Sequence, residues 1–247
     1  MFTARSSDRA VFLCLEYLYA ASHKLIRKGC GNMKTAELFD LNHTLAAEYL
    51  AAFEYPWQAL QGIKDMVLDV GRTLGEEYEE IAPSVWIHKS ALVAPTAHFS
   101  GPCIIGAYTE IRHGAFIRGS ALIGDNCVVG NSTEIKNAII FDNVQVPHFN
   151  YVGDSVLGYK AHLGAGAVTS NVKSDKSMVT VDGLETGLKK FGAMVGDSVE
   201  VGCNAVLNPG TIIGRNSNVY PTSCVRGVVP EMSIWKNSGQ MVKKEAR

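Results

Sequence analysis

The stretch CIIGAYTEIRHGAFIRGSALIGDNCVVGNSTEI, residues 103–135, carries a bulky aliphatic residue at every sixth position: Ile105, Ile111, Ile117, Ile123, Val129 and Ile135. The series extends upstream through Ile87, Val93 and Phe99 and downstream to Phe141. A helix repeats its apolar face roughly every 3.6 residues and a half-buried strand about every two, so neither explains the pattern. A fixed short period marks a solenoid, in which each repeat buries its apolar side chain only by stacking on its neighbours. Small residues follow several of the periodic positions, as at Gly106, Gly124 and Gly130. Each unit therefore reads as a short strand with an inward knob and a turn after it. Three units make a triangular coil, and residues about eighteen apart stack on adjacent coils roughly 4.8 Å from one another.

After Phe141 the phase slips by one, with apolar positions at Val146, Val152, Leu157 and Leu163. The pattern breaks over residues 170–192, a polar, basic stretch with Lys173, Lys176, Lys189 and Lys190, read as a loop inserted at one corner. It resumes at Val195, Val201, Leu207, Ile213, Val219 and Val225. The expected fold is all-β, a parallel β-helix of about seven coils over residues 83–230. A C-terminal tail, 231–247, follows it, and the segment from Val228 to Trp235 is expected to turn back over the open end. Residues 33–82 read as helical. Asn42 or Thr44 would cap a helix burying Leu45, Tyr49, Leu50 and Phe53, and Pro56 would open a second carrying Trp57, Leu60, Ile63, Met66 and Val67. These helices are expected to cover the other end of the solenoid, because open ends need capping. Met33-Lys34-Thr35 reads like a start, so residues 1–32 are expected to form an upstream extension of low order.

The chain has 247 residues, 47% hydrophobic and 19% charged, with formal net charge -1. That balance gives no global attraction to nucleic acid or to anionic membranes. No apolar run has the length of a membrane span; Ala10 to Ala21 comes nearest and contains Glu16. No small-residue cleavage site follows it, so a cytoplasmic location is expected. Cys14, Cys30, Cys103, Cys127, Cys203 and Cys224 include no C-x-x-C pair. They read as small buried hydrophobes in a reducing compartment rather than metal ligands.

The densest polar constellation lies where the phase slips. It comprises Arg118, Glu134 and Lys136, then His148-Phe149-Asn150-Tyr151-Val152-Gly153-Asp154, then Leu163-Gly164-Ala165-Gly166 and Thr169-Ser170-Asn171. The coil spacing is expected to gather two cations, a histidine, a phenol and an amide at one corner. This block resembles the acetyltransferase domain of the bifunctional glucosamine-1-phosphate acetyltransferase / N-acetylglucosamine-1-phosphate uridyltransferases, which are hexapeptide-repeat proteins. The resemblance covers roughly residues 85 to 230 and implies a left-handed β-helix and a homotrimer with sites between adjacent subunits. Asp40 to Thr44 and Tyr55-Pro56-Trp57 resemble the linker of related sugar nucleotidyltransferases, and Thr186 to Gly192 looks like the archaeal-type sugar-1-phosphate enzymes.

The resemblance implies an acetyl-CoA-dependent transferase acting on an amino-sugar phosphate, with His148 as general base and the Ala165 N–H facing the oxyanion. Arg118 and Lys136 would hold the phosphate; Tyr151, His162 and Asn171 would contact substrate; Ala165, Lys173 and Lys176 would contact the cofactor. His162 stands where the family has Asn, and Val172 where it has Tyr. No nucleotidyltransferase-type glycine-rich segment occurs, so uridyltransferase activity is not expected from this chain. Two other functions remain open on the sequence. A non-catalytic trimeric sugar-nucleotide-binding module needs the same fold without turnover. A metal-dependent carbonic anhydrase also uses this solenoid; His113 and His148 have a suitable separation, but Gly153 stands where the third ligand is needed. No metal, nucleic-acid or membrane partner is expected.

Overall fold

The computed structural model describes residues 34–237 and 239–245. The expectation for residues 1–32, with Cys14 and Cys30, lies outside the described residues.

The chain winds into a β-solenoid of eight coils, with strands on three faces. On the first face Ile87, Ile105, Ile123, Ile140, Leu157, Val195, Ile213 and Val229 stand in successive parallel register. The second face carries Val93, Ile111, Val129 and Val146, then Leu163, Val201, Val219 and Trp235. The third carries Phe99, Ile117, Ile135 and Val152, then Thr169, Leu207 and Val225. Most of these side chains are fully buried, and each one removed from water contributes about 1.5–3 kcal/mol.

The phase slip falls earlier than the sequence suggested, and it happens twice. Ile135 pairs with Val152, and Ile140 pairs with both Ile123 and Leu157. Ile140 is therefore the lumen residue, and Phe141 packs outside the lumen, its ring 5.2 Å from that of Phe39. In each of two consecutive coils the corner between the third and first faces is one residue short. The strands Glu134–Ile140 and Tyr151–Leu157 run around it without stopping. Asn137 and Asp154 make the bend, both in the left-handed region at φ 48°.

The helical region does not cap an end of the solenoid; it lies along the first face. The helix Ile63–Gly71 packs on the strands Cys103–Ile105, Ala121–Ile123 and Glu134–Ile140. At its far end the Leu38 carbonyl accepts the Asp197 N–H at 3.1 Å, and the Ala36 carbonyl accepts from Arg215 at 3.4 Å. Outward-facing Ile104, Leu122, Ile139, Val156, Met194 and Ile212 are consequently buried. Trp57, Leu60, Ile63, Met66 and Val67 are buried as expected, whereas Leu45 is exposed. Ala46, not Asn42 or Thr44, is the N-cap of the helix Ala47–Ala51, and the Thr44 hydroxyl accepts the Ala46 N–H at 3.2 Å. The strand Tyr78–Ala82, in a segment read as helical, pairs antiparallel with Val85–His88 and covers the first coil on this face alone. At the other end Val228–Val229 and Ser233–Trp235 continue the solenoid, and Met241–Lys243 turns back against the latter.

Because the first face is buried on both sides, Leu122→Ala is expected to cost about 2–4 kcal/mol, comparable to Ile123→Ala in the lumen. Urea unfolding checks this. A loss within about 0.5 kcal/mol would mean that the face is bare.

Candidate functional site

Arg118 and Lys136 follow the register partners Ile117 and Ile135, so they stack on adjacent coils of the third face. Arg118 binds the Glu134 carboxylate at 2.7 Å. Lys136 stands opposite Gly153, and Glu134 opposite Tyr151. A Cβ on Gly153 would overlap the Tyr151 hydroxyl, so only glycine lets the Tyr151 ring lie across it. The hydroxyl accepts from Asn171 Nδ2 at 3.2 Å. The same amide donates to Asp154 Oδ2, while Asn137 Nδ2 donates to Asp154 Oδ1 at 2.9 Å. The Lys136 ammonium lies 3.7 Å from Asp154 Oδ2, and Asp154 is only 4% exposed. Burial first, then the charges of Asp154 and Glu134, push the Tyr151 phenol above its ordinary value.

The insertion expected over 170–192 folds back onto this corner. Thr180–Val181 pairs with Leu184–Glu185 across Asp182 and Gly183, both at positive φ (45° and 83°), the pattern of a primed hairpin turn. Val179, Val181 and Phe191 anchor the insertion in the core. Gly192 donates its N–H to the Asp154 carbonyl at 2.8 Å. Lys189 and Lys190 then line a cleft of about 280 Å³ with Leu60, Gln61, Asn137 and Asp154. Lys173 instead pairs with Asp175 at 3.9 Å, and neither Lys173 nor Lys176 lines that cleft.

His148 ends the strand Gln145–His148 at the corner between the second and third faces. Buried Asn150 locks this corner: its Oδ1 accepts the His148 N–H at 3.1 Å, and its amide donates to the Gly164 and Ala167 carbonyls at 2.8 and 3.0 Å. The His148 carbonyl accepts the Gly166 N–H at 3.0 Å, which puts Ala165 one coil along from His148. Among the described residues the Ala165 N–H and the His148 ring have no hydrogen-bond partner. Phe149, next along, is 60% exposed and held at φ 53°, a conformation that bulky residues seldom adopt.

His162 does not join the third-face cluster. It lies on the second face opposite Gln145 and binds Glu200 at 2.7 Å through Nδ1. The expected single corner is thus two: Arg118, Lys136, Tyr151 and Asn171 on the third face, and His148 with Ala165 at the preceding edge. From His162 a groove of about 1160 Å³ runs across successive coils past Gly164, Gly202 and Pro221 to Lys243 and Lys244. Sequence reading missed Asp154 as the hub of the third-face cluster, although it stands 17 residues from both Asn137 and Asn171, the length of a shortened coil. It also missed Lys243 and Lys244, because nothing in a short C-terminal tail shows where it docks. His113 bonds Thr96 at 2.7 Å, and the Asn131 coil lies between it and His148. Among the described residues no group of three or more His, Cys, Asp or Glu could hold a metal ion. None of their helices is long and apolar enough to cross a membrane.

Residues 99–229 match the sequence model of the family described as GMPPB C-terminal domain. The chain is 34% identical over 134 residues to the bifunctional protein GlmU of Methanococcus vannielii, covering 53% of this chain and 32% of that one. It is 33% identical to an Escherichia coli protein described as uncharacterized acetyltransferase YaiX, covering 63% of this chain and 73% of the relative. Among solved structures, a mutant of AntD, an N-acyltransferase from Bacillus cereus in complex with dTDP and coenzyme A, matches with 17% identity and a TM-score of 0.38, over 65% of this chain and 84% of that one. The chain spans between 32% and 48% of the GlmU proteins that it matches first.

Contrary to the uniform burial expected of the cysteines, Cys103 and Cys127 are buried and Cys203 and Cys224 exposed. Burial pushes the first two thiols up to about 12. A disulfide reagent at about pH 8 is expected to modify Cys203 and Cys224 in the folded protein. Peptide mass mapping should find Cys103 and Cys127 labelled only after denaturation. Burial raises the phenols of Tyr49, Tyr78 and Tyr151, and Tyr78 is pushed up to about 12. Ultraviolet titration of Tyr151→Phe should lose one component from above the ordinary tyrosine range and keep that of Tyr78.

Proposed function

The chain belongs to the GMPPB C-terminal domain family, and we propose that it transfers the acetyl group of acetyl-CoA to the amine of a sugar phosphate. The observation that carries this reading is the second-to-third corner. There the Ala165 N–H sits one coil from the His148 ring, both without a hydrogen-bond partner among the described residues, beside a groove that ends at two lysines.

Coenzyme A is long, with a thioester at one end and phosphates at the other. Laid across the coils, its phosphates would meet Lys243 and Lys244, and its thioester would reach the Gly164-Ala165 turn. The amine attacks the thioester carbonyl. The N–C bond forms as the C–S bond breaks, His148 takes the amine proton, and that proton leaves with the CoA thiol. The Ala165 N–H faces the oxygen on which charge develops. The substrate phosphate suits Arg118 and Lys136, with Lys189 and Lys190 adding charge from the insertion. Tyr151 and Asn171, already bonded to each other, present a hydroxyl and a carbonyl to the sugar. The corner separating His148 from this cluster fits a homotrimer in which a neighbouring copy closes the site, and exposed Phe149 would be covered there. The cytoplasm is the compartment that supplies acetyl-CoA.

Thiol release from acetyl-CoA with glucosamine-1-phosphate tests the reading. Release that depends on the sugar is expected. His148→Ala should lower kcat by about 10²–10⁴-fold while leaving CoA binding by calorimetry intact. Lys243→Ala and Lys244→Ala should raise KM for acetyl-CoA alone. A wild-type chain that binds sugar phosphate but neither binds CoA nor releases thiol would instead be a non-catalytic binding module.

A further inference from the structure

We propose that Asp154 is a positioning residue, acting through Lys136 and Asn171 to set the phosphate end of the site. This deepens the acetyltransferase reading and rests on it. Asp154 is buried, yet its carboxylate reaches three side chains from the two flanking coils: Lys136 and Asn137 on the strand before it, and Asn171 on the coil after it. Asn137 Nδ2 also donates to the Leu60 carbonyl at 3.1 Å, and the Asp154 carbonyl receives the Gly192 N–H at 2.8 Å. One residue thus meets the solenoid corner, the insertion carrying Lys189 and Lys190, and, through Asn137, the helical region.

The geometry distinguishes its two kinds of partner. The amides are held at hydrogen-bond distance and fixed in orientation. Lys136 stands at 3.7 Å, close enough for its charge to be confined and too far for its protons to be consumed. A lysine stem is flexible, and ordering it on binding a phosphate costs affinity. A buried carboxylate that already confines the ammonium removes part of that cost and leaves three N–H donors for the ligand. Asn171, turned by Asp154 so that its amide nitrogen faces Tyr151, is fixed in the same way. Asp154 itself touches no substrate in this arrangement.

The test uses the full chain and four proteins: wild type, Asp154→Asn, Lys136→Met and the double variant. Asn keeps the size and an acceptor for Asn137 and removes the charge facing Lys136. Asp154→Asn is expected to raise KM for glucosamine-1-phosphate, and its calorimetric Kd, at least tenfold. The kcat should stay within threefold and KM for acetyl-CoA should not change. In the Lys136→Met background the same substitution should weaken binding by a clearly smaller factor, because one of the two residues through which it acts is gone and only the route through Asn171 remains. A role confined to stability would lower the unfolding midpoint and leave this split and this non-additivity absent. Unchanged KM in an active Asp154→Asn variant, or equal losses in both backgrounds, would overturn the proposal alone. A wild-type chain that neither binds the sugar phosphate nor releases thiol would overturn it together with the acetyltransferase reading.

Discussion

Every coil must bury three inward side chains against the coils on either side, and the rest of the structure is arranged around that requirement. A lumen with room for one side chain per face fixes the register of all three faces at once. A slip of one residue would turn the apolar set outward. The lumen therefore tolerates change only at the corners, where a residue can be dropped or a segment inserted without moving any knob. The polar chemistry of this protein lies at those corners, because only there can the backbone vary while the core stays fixed.

The third-to-first corner shows how such a change builds a site. Dropping one residue in each of two consecutive coils places Asn137 directly before Asp154, both left-handed and in stacked register. An insertion after Thr169 then adds Asn171 and returns through Gly192 to the same point. A carboxylate placed there is surrounded by amides and an ammonium, which offset the cost of its burial. The shortened coils and the insertion are thus two halves of one local construction.

The lumen was legible because its period is strict, and the insertion because it interrupts that period. The placement of the helical region was not read, although the sequence holds the signal. The first-face strands CII, ALI, AII, AMV and TII carry adjacent apolar residues coil after coil, while on the other two faces the outward position is often polar, as at Glu110, Glu134, Gln145 and Glu200. A strand buried on both sides loses its alternation, so every third unit announced a covering layer. A count of sixth positions alone passes over it. The position of the slip was missed for a related reason. Ile139, Ile140 and Phe141 are all bulky and apolar, and only the pairing of Ile140 with Ile123 and Leu157 decides which one faces inward. The site residues were legible as a group, because stacked positions recur at the coil length. Their division between two faces was not, because spacing along the chain does not tell which side of a corner a residue occupies.

That division constrains how the proposed reaction can be organised. His148 and Lys136 are on opposite sides of the corner at Phe149, and the protein surface between them is convex. A convex edge cannot surround a ligand or exclude water from it, and acyl transfer to an amine gains from both. On the proposed reading, a neighbouring copy would supply the missing wall. The Phe149 ring, 60% exposed, stands on that edge; its φ of 53° is the left-handed turn conformation shared by other corners, such as Tyr108, Asn126 and Lys160. If a neighbouring copy in the proposed trimer brought its third face to this edge, His148 of one subunit would serve the phosphate cluster of the next. Mixing subunits that lack His148 with subunits that lack Lys136 should then restore activity in mixed trimers, since some of their sites draw both residues from intact copies. Sites built within one chain would remain inactive in every mixture.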